Sequence, residues 1–406
     1  MPVQEGYVTW CDRCGWNLHA PTREAPAGRL GRLYEAAGRR LGDRLHSGLL
    51  EAERLEPTAT PAKVAAYAVA AVVHLFTAAL AAAGVALVVL GVPNVFAIVL
   101  GAIAAAIAFL MRPRFGSLPE EGVIARAEAP TLLGLVDAVA AAVGTPTVDV
   151  LAVDHGYNAS WAAVGLPRRR VLTLGVPLLT VLEPRERVAL VAHELAHGRN
   201  GDVTRGLFVG SAVVGLAELY SFVAPDDSTE GREWELGLVE RVANWFFWLL
   251  SRPVLGLLLL ELHLLLRDHQ RAEYLADALA ARVAGTNATV SLHEKLLLES
   301  TFQGATQHAA RGGSDLFREL REAFELIPER EHDRRRRVAR LENARLGTTH
   351  PPTGKRITLL ESRPRTEPVV TLDAERSAAI DDELAPLRLA LERTLVDEYR
   401  DSLFHG

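Results

Sequence analysis

The sequence has few cysteines, little net charge and no repeats. Its only two cysteines, Cys11 and Cys14, are half of the four ligands that a closed structural zinc site needs. The net charge is -6 and the two signs are interspersed, so no overall field indicates nucleic acid or an acidic substrate as a partner. No low-complexity array is present, and 406 residues suffice for two or three domains, so we expect a mostly folded chain.

Charge is also missing from two long stretches. Residues 64–90 contain no Asp, Glu, Lys or Arg, and at about 1.5 Å per residue they reach roughly 40 Å, enough to cross a bilayer. Residues 92–111 form a second uncharged run, and the turn residues between the two runs predict a transmembrane hairpin over 64–111. No apolar core lies near residue 1, so we expect no cleaved signal peptide and a first span that anchors the chain.

Two further apolar stretches, 206–224 and 242–266, are weaker candidates because they contain charged residues. We predict that 206–266 forms a second apolar helix pair that crosses the membrane; the alternative is a pair of buried helices in a soluble domain. The segment between the two stretches has six acidic and two basic residues, whereas arginines flank the outer ends of the pair. The positive-inside rule therefore places both termini and the intervening residues 112–205 in the cytoplasm.

Residues 188–202, VALVAHELAHGRNGD, contain a metal-binding pattern within an apolar, helix-like run. His193 and His197 are four apart, so on a helix both imidazoles share one face, and Glu194 projects close to a water bound on the same ion. This pattern is typical of zinc hydrolases, although an amphipathic helix with core histidines is the alternative. Two histidines leave a tetrahedral ion one protein ligand short, so another segment must supply the third.

Two candidate positions for the third ligand are rejected. A metzincin would have a histidine six residues after His197, where this chain has Val203. Glu218 would lie roughly 18 Å along a membrane-spanning helix, too deep for a site at the membrane surface. We therefore expect Glu218 to be neutral or hydrogen-bonded rather than a ligand.

The favoured third ligand lies in a helix-like segment over 267–285. Glu273 and Asp277 are four apart, so Glu273 can bind the ion while Asp277 accepts a hydrogen bond from the outer nitrogen of a ligand histidine. His269 is a rival ligand on the same face, and a solvated acidic face is the alternative interpretation. We also expect Asp202, near the end of the motif helix, to contact the metal-binding residues without binding the ion itself.

These segments together resemble the HtpX-like and CAAX-prenyl-protease-like membrane zinc metalloendopeptidases, which are gluzincins with HExxH and a distant glutamate ligand. The resemblance covers about residues 64–362 and includes, in order, the transmembrane hairpin, NASWAAVGLPRRRVLTLGV, the motif helix, RAEYLAD and TTHPPTGKRI. It implies a mainly α fold with a small β-sheet, in which a zincin-like α+β catalytic domain, formed by 112–205 and 267–362, accompanies transmembrane helices.

The resemblance also implies roles for residues outside the ligand set. Glu194 would be the catalytic base, and His350 and Arg356 would supply positive or donor groups to the developing charge of the reaction. Asn158 and Ala159 would contact the substrate backbone along an exposed edge strand. Without the resemblance, HPPTGKR is a proline turn with a basic end, and the strand pair is an ordinary hairpin of a small sheet.

The function implied is a membrane-integrated, zinc-dependent endopeptidase that hydrolyses peptide bonds with a zinc-activated water, in the quality control of membrane proteins. Alternatives are a CAAX-type processing protease and a non-enzymatic membrane scaffold with a structural zinc site. We expect one catalytic Zn²⁺, protein or peptide substrates, contact with membrane lipid and no nucleic acid. The composition suggests a bacterial cell membrane with the catalytic domain in the cytoplasm; assembly into a homo-oligomer is left open.

Three segments depart from the resemblance. Residues 1–63 precede the first span and contain Cys11 and Cys14, which form one knuckle of a second zinc site or only a surface turn. An amphipathic helix over 29–55 lies at the membrane surface or is a solvated connector. The run Arg334–Arg337 contacts anionic lipid headgroups or forms a solvated helix face. Residues 363–406 form a charged helix to which we assign no role.

Overall fold

The computed structural model describes residues 6–19, 28–200, 206–224, 238–312, 315–342 and 350–404. Within these residues the chain is mainly helical with one small sheet, which confirms the predicted fold class. The helices are α1 (Gly28–Glu51), α2 (Pro61–Leu90), α3 (Val95–Leu110), α4 (Pro130–Val143), α5 (Val176–Val181), α6 (Pro184–Arg199), α7 (Ser211–Val223), α8 (Leu238–Ala284), α9 (Thr286–Leu296), α10 (Glu299–Gly312), α11 (Leu316–Glu325), α12 (Glu329–Leu341), α13 (Thr353–Glu361) and α14 (Ala374–Phe404). The strands are β1 (Val123–Ile124), β2 (Val150–Asp154), β3 (Ala159–Val164) and β4 (Arg169–Gly175).

The chain divides into two compact units. The first unit contains the described residues of Met1–Pro57, Ser117–Asp202 and Gln270–Gly406. The second contains those of Thr58–Gly116 and Val203–His269. The sheet and the histidine motif both lie in the first unit.

The sheet of the first unit has the strand order β1-β2-β4-β3. β2 and β4 are parallel, whereas β1 pairs with β2 and β3 pairs with β4 in antiparallel fashion. The predicted hairpin is present: β3 and β4 are joined by a turn in which Gly165 and Arg168 have φ of +73° and +53°. Within the described residues, β4 is the only strand paired with β3, so β3 forms one edge of the sheet.

Helix α6 runs through the core of the first unit. Its start is fixed by a capping box, in which the side chains of Glu183 and Glu186 each accept a hydrogen bond from the other residue's backbone N–H, and by Pro184 in the first turn. Every residue from Glu186 to His197 is buried. The apolar ones pack with the sheet and with α4, α8 and α9 in one hydrophobic core. A helix buried on all sides holds its polar residues in fixed positions, which a metal site requires.

Helix α1 packs on α13 in the first unit. Leu49 is buried with Tyr274 and Leu359 in a small separate cluster. Nε2 of His46 lies 3.1 Å from the carbonyl oxygen of Lys355, and the ammonium of Lys355 pairs with Asp43. The second half of α1 is therefore held against the helix that contains Arg356.

The second unit contains the apolar helices. Among the described residues, three helices are long and apolar enough to cross a membrane: Pro61–Leu90, Gly206–Val223 and Arg241–Ala284. The last of these continues past the second unit, because α8 runs on through the first unit from Gln270. The second predicted span, 92–111, corresponds to α3, which has 16 residues, is shorter than these three helices and is the shorter arm of a hairpin with α2.

Close packing of α2 and α3 depends on glycine. An added Cβ at Gly84 would lie 2.8 Å from the backbone nitrogen of Ala105, and one at Gly101 would lie 2.7 Å from the carbonyl oxygen of Gly84. Only glycine permits this approach, which is the small-residue packing typical of helix pairs in membranes. The two glycines thus define the contact face of the predicted hairpin.

Candidate active site

The two motif histidines lie one turn apart on α6, with their ring centroids 5.0 Å apart. Both are buried, and so is Glu194 between them. Helical spacing directs both imidazoles to one side of α6, as the sequence predicts. The side they face is occupied by α8.

Glu273 of α8 meets the two histidines there. Its Oε2 lies 3.6 Å from Nε2 of His193, and its Oε1 lies 3.4 Å from Nε2 of His197. Glu273 is 0% exposed, and the ligand atoms of the three residues all lie within 4.8 Å of one another. Ligands of a tetrahedral zinc ion at about 2.1 Å are separated from one another by about 3.4 Å, so this donor set fits zinc in both type and spacing.

Asp277 lies one turn after Glu273 and binds the outer nitrogen of His193. Nδ1 of His193 donates to Oδ1 of Asp277 at 3.0 Å, which leaves Nε2 of His193 directed at Glu273. This is the arrangement that the E-x-x-x-D spacing predicts. A histidine fixed in this way presents one defined nitrogen to a metal.

Arg356 of α13 is buried between the two carboxylates of α8. Its guanidinium donates to Asp277 at 2.6 and 2.7 Å, and its Nη1 lies 3.2 Å from Oε2 of Glu273. Burial opposes the charged form, but Asp277 and Glu273 outweigh it and raise the pKa of Arg356. The structure thus engages this guanidinium with two carboxylates, and its role as a positive group at the developing charge of the reaction stays a prediction.

His293 of α9 is a further member of the cluster, which the sequence did not predict. Its Nε2 lies 2.9 Å from Oδ1 of Asp277, and the side chain is buried. Burial lowers the pKa of His293, although Asp277 opposes that shift. A neutral His293 can donate one proton to Asp277, which therefore accepts from two histidines and one arginine. No motif or spacing relates His293 to the HELAH segment, so the sequence contained no signal for it.

His350 lies at the open side of the cluster. Its Nδ1 is 2.8 Å from Oε2 of Glu273, while 62% of its side chain is exposed. The structure therefore brings this residue of the HPPTGKR segment to the candidate metal site, at a position that solvent and a substrate can reach.

The protein's own carboxylates favour protonation of His193. Burial lowers the pKa of His193, but its hydrogen bonds to Asp277 and Glu273 outweigh this and raise that pKa to about 10. A metal that binds Nε2 must displace this proton, as is usual for histidine ligands.

The edge strand β3 runs beside the C-terminal turn of α6. An added Cβ at Gly198 would lie 3.0 Å from Cζ2 of Trp161, so α6 and β3 touch next to His197. Asn158 is exposed at the start of β3, and its carbonyl oxygen accepts a hydrogen bond from the backbone of Gly175. Ala159 follows as the first residue of the strand and is partly buried. The predicted substrate-contacting pair is therefore at the free edge of the sheet, on a strand next to the motif helix.

Other predicted residues lie elsewhere. Asp202 falls outside the described residues. Glu218 is only partly buried and forms an ion pair with Arg114 at 2.8 Å in the second unit; its rejection as a ligand stays a prediction. The arginines of the run 334–337 all form ion pairs with carboxylates, which favours the protein surface over lipid for this run; the partners are Glu331, Asp333 and Glu294.

The site defines a class of protein, a metallopeptidase with two motif histidines and a glutamate from a later helix. The sequence model of peptidase family M48 matches residues 127–364, which is more than half of the chain. The chain therefore belongs to peptidase family M48. The match includes every residue of the His193, His197, Glu273, Asp277 and Arg356 cluster. No solved structure matches the chain.

Proposed function

We propose that this protein is a membrane-integrated zinc endopeptidase in which His193, His197 and Glu273 hold the metal. The observation that supports this most directly is the convergence of those three ligand atoms beside Glu194, inside the region that matches family M48. Bound there, a zinc ion lowers the pKa of its water to near neutrality and polarises the carbonyl of the peptide bond. All three ligands are buried, so they are already in place before a metal binds.

Glu194 is the catalytic base in this proposal. It directly follows the ligand His193 on α6 and is buried there, so its carboxylate can take a proton from the attacking water and pass it to the leaving amine. A structural zinc site does not need this carboxylate, which favours the enzyme over the scaffold alternative.

Arg356 acts as a positioning residue. Its guanidinium holds Asp277 and Glu273 together, and Asp277 in turn orients His193. His350 is the group we assign to the reacting atoms, because it combines contact with Glu273 and exposure to solvent. The resemblance assigned one role to both residues, that of a positive or donor group at the developing charge. We propose that role for His350 and a positioning role for Arg356.

The substrate proposed is an extended protein segment that pairs with β3. The free edge of β3 offers backbone N–H and C=O groups to an extended peptide. Because Trp161 of β3 contacts Gly198 of α6, a peptide paired with β3 would run past the motif helix. Recognition through the backbone imposes little side-chain preference, as expected for an enzyme that degrades damaged membrane proteins. We propose that the catalytic unit faces the cytoplasm, from the arginine distribution around the apolar helices, and that the cell is bacterial, from the amino-acid composition.

The test is a comparison of casein cleavage by the detergent-solubilised wild type and Glu194→Gln. We expect cleavage to fall by at least about 10²-fold with unchanged zinc content, because only the proton acceptor is lost. The control is Glu361→Gln, which changes an exposed glutamate on α13 and should leave cleavage intact. Equal activity of Glu194→Gln and wild type would refute the mechanism, and absence of activity from a wild type with full zinc content would favour the scaffold.

A further inference from the structure

The segment around Cys11 and Cys14 is a built turn that the peptidase chemistry does not use. Cys11 N donates to the carbonyl oxygen of Trp16 at 3.0 Å, and Gly15 N donates to that of Cys11 at 3.0 Å. Gly15 and Asn17 have φ of +69° and +61°, which closes the turn tightly. The turn thus holds Cys11 and Cys14 in the spacing of one half of a structural zinc site.

Helix α12 holds the knuckle in place. Trp10 is buried between Arg330 and Arg337, whose guanidinium carbons lie 4.8 and 5.1 Å from the centre of a Trp10 ring. Arg330 also donates to the carbonyl oxygen of Trp10, and Arg337 to that of Asp12 at 2.7 Å. The knuckle is therefore fixed to α12 of the first unit through Trp10 and the backbone of Asp12.

The ligand set of the knuckle is incomplete within one chain. In the part of the chain that the structure describes, groups of three metal-ligating side chains occur only around Glu273. Cys11 and Cys14 therefore have no third ligand near them there, and the sequence has no other cysteine. Both are free thiols, partly or fully exposed, and Trp16 beside them is 55% exposed. An exposed pair of thiols next to an exposed tryptophan is a surface that another molecule is suited to cover.

We propose that Cys11 and Cys14 are half of a zinc site with four thiolates that is completed by the same pair from a second copy of this chain. Two identical pairs related by a two-fold axis give the closed tetrahedral set that structural zinc requires. The exposed Trp16 of each copy then lies at the centre of the contact, where an aromatic side chain contributes most to association. The zinc ion makes the protein a dimer through its N-terminal region, independently of the peptidase site.

The experiment measures zinc per chain and molar mass of the purified full-length protein in detergent under reducing conditions. We expect about one and a half zinc ions per chain and a dimer for the wild type, and about one zinc ion and a monomer for Cys11→Ser/Cys14→Ser. Asp12→Asn, an exposed change in the same turn, is the matched control and should keep the zinc content and the dimeric state of the wild type. In His193→Ala/His197→Ala we expect about half a zinc ion per chain and a dimer, which separates this site from the peptidase site.

Other outcomes would overturn the proposal. A wild type with one zinc ion per chain shows an empty knuckle. A monomer with two zinc ions shows a site that one chain completes alone. A mercurial reagent provides a check that needs no variant, because it should release about half a zinc ion per chain and convert the wild-type dimer to monomer. Release of no zinc by the reagent would contradict thiolate ligation.

Discussion

Nδ1 of His193 donates a hydrogen bond to Oδ1 of Asp277, and the two atoms are 3.0 Å apart. Asp277 lies one helical turn after Glu273, so α8 supplies the proposed third ligand and also orients the first. Nε2 of His193 is left as the nitrogen that faces Glu273. The candidate metal site is thus built by two helices, each of which contributes residues four apart.

This relationship predicts the effect of Asp277→Asn on zinc binding. The amide that replaces the carboxylate accepts a weaker hydrogen bond from His193 and leaves the buried Arg356 without its main partner. We expect the zinc affinity to fall by about 10- to 100-fold, which is measured by competition with a chelator. Asp137→Asn, at an exposed salt bridge of α4, should bind zinc as the wild type does. Equal affinities for Asp277→Asn and wild type would contradict the orienting role.

The contact between α6 and β3 predicts an effect of Gly198→Ala on cleavage. The added methyl would lie 3.0 Å from Cζ2 of Trp161 and 3.1 Å from Oγ1 of Thr145, so the side chain of Trp161 on the edge strand must shift by a few tenths of an ångström. We expect a loss of about 1–3 kcal/mol in the free energy of unfolding and a higher KM for casein. The KM should rise because β3 is the proposed binding edge.

Gly134→Ala is the matched control for that variant. Gly134 lies in α4, and an added Cβ there meets nothing within 4 Å. Replacing a helical glycine in open space should stabilise the fold by about 0.5–1 kcal/mol without changing KM. If Gly198→Ala behaves like Gly134→Ala, the close approach of Trp161 does not constrain the site.

Much of the site could be predicted because its residues follow helical spacing. His193 and His197 are four apart on one helix, and Glu273 and Asp277 are four apart on another, so each pair shares a face before any tertiary contact is known. The lack of charge in 64–90 and 92–111 likewise predicted the apolar hairpin. These features depend on local periodicity, which a single sequence contains.

Other features depend on contacts between distant segments, and the sequence did not predict them. His293 and Asp277 share a hydrogen bond because α9 folds back on α8, and nothing in the residues near His293 marks that approach. The engagement of Arg356 with two carboxylates likewise follows from where α13 lies. The docking of α1 on α13 through Leu49 is a third example. Such contacts follow from the tertiary packing of the whole unit.

The packing of α1 predicts that the N-terminal region stabilises the site. Leu49 is buried against Tyr274, the neighbour of Glu273, and against Leu359 on the helix that contains Arg356. Leu49→Ala removes this contact, and we expect a loss of about 2–4 kcal/mol in the free energy of unfolding together with lower zinc affinity. Leu50→Ala, at the adjacent exposed position, is the control and should change the free energy of unfolding and the zinc affinity only slightly. Similar stability of the two variants would show that α1 does not support α13.

The buried Glu186 predicts a pH dependence of stability. Burial raises the pKa of Glu186 above 4.5, although the hydrogen bond from Ser291 partly offsets the shift. Because this pKa is higher in the folded than in the unfolded protein, Glu186 contributes fully to the free energy of unfolding below pH 4.5. That contribution is lost as the pH rises through the folded-state pKa. Glu186→Gln has no such charge, so its stability relative to wild type should increase from acidic to neutral pH. Chemical unfolding at several pH values measures this difference, with the exposed Glu325→Gln as the control. If the stability of Glu186→Gln relative to wild type stays constant or decreases as the pH rises, Glu186 does not carry a buried charge at neutral pH.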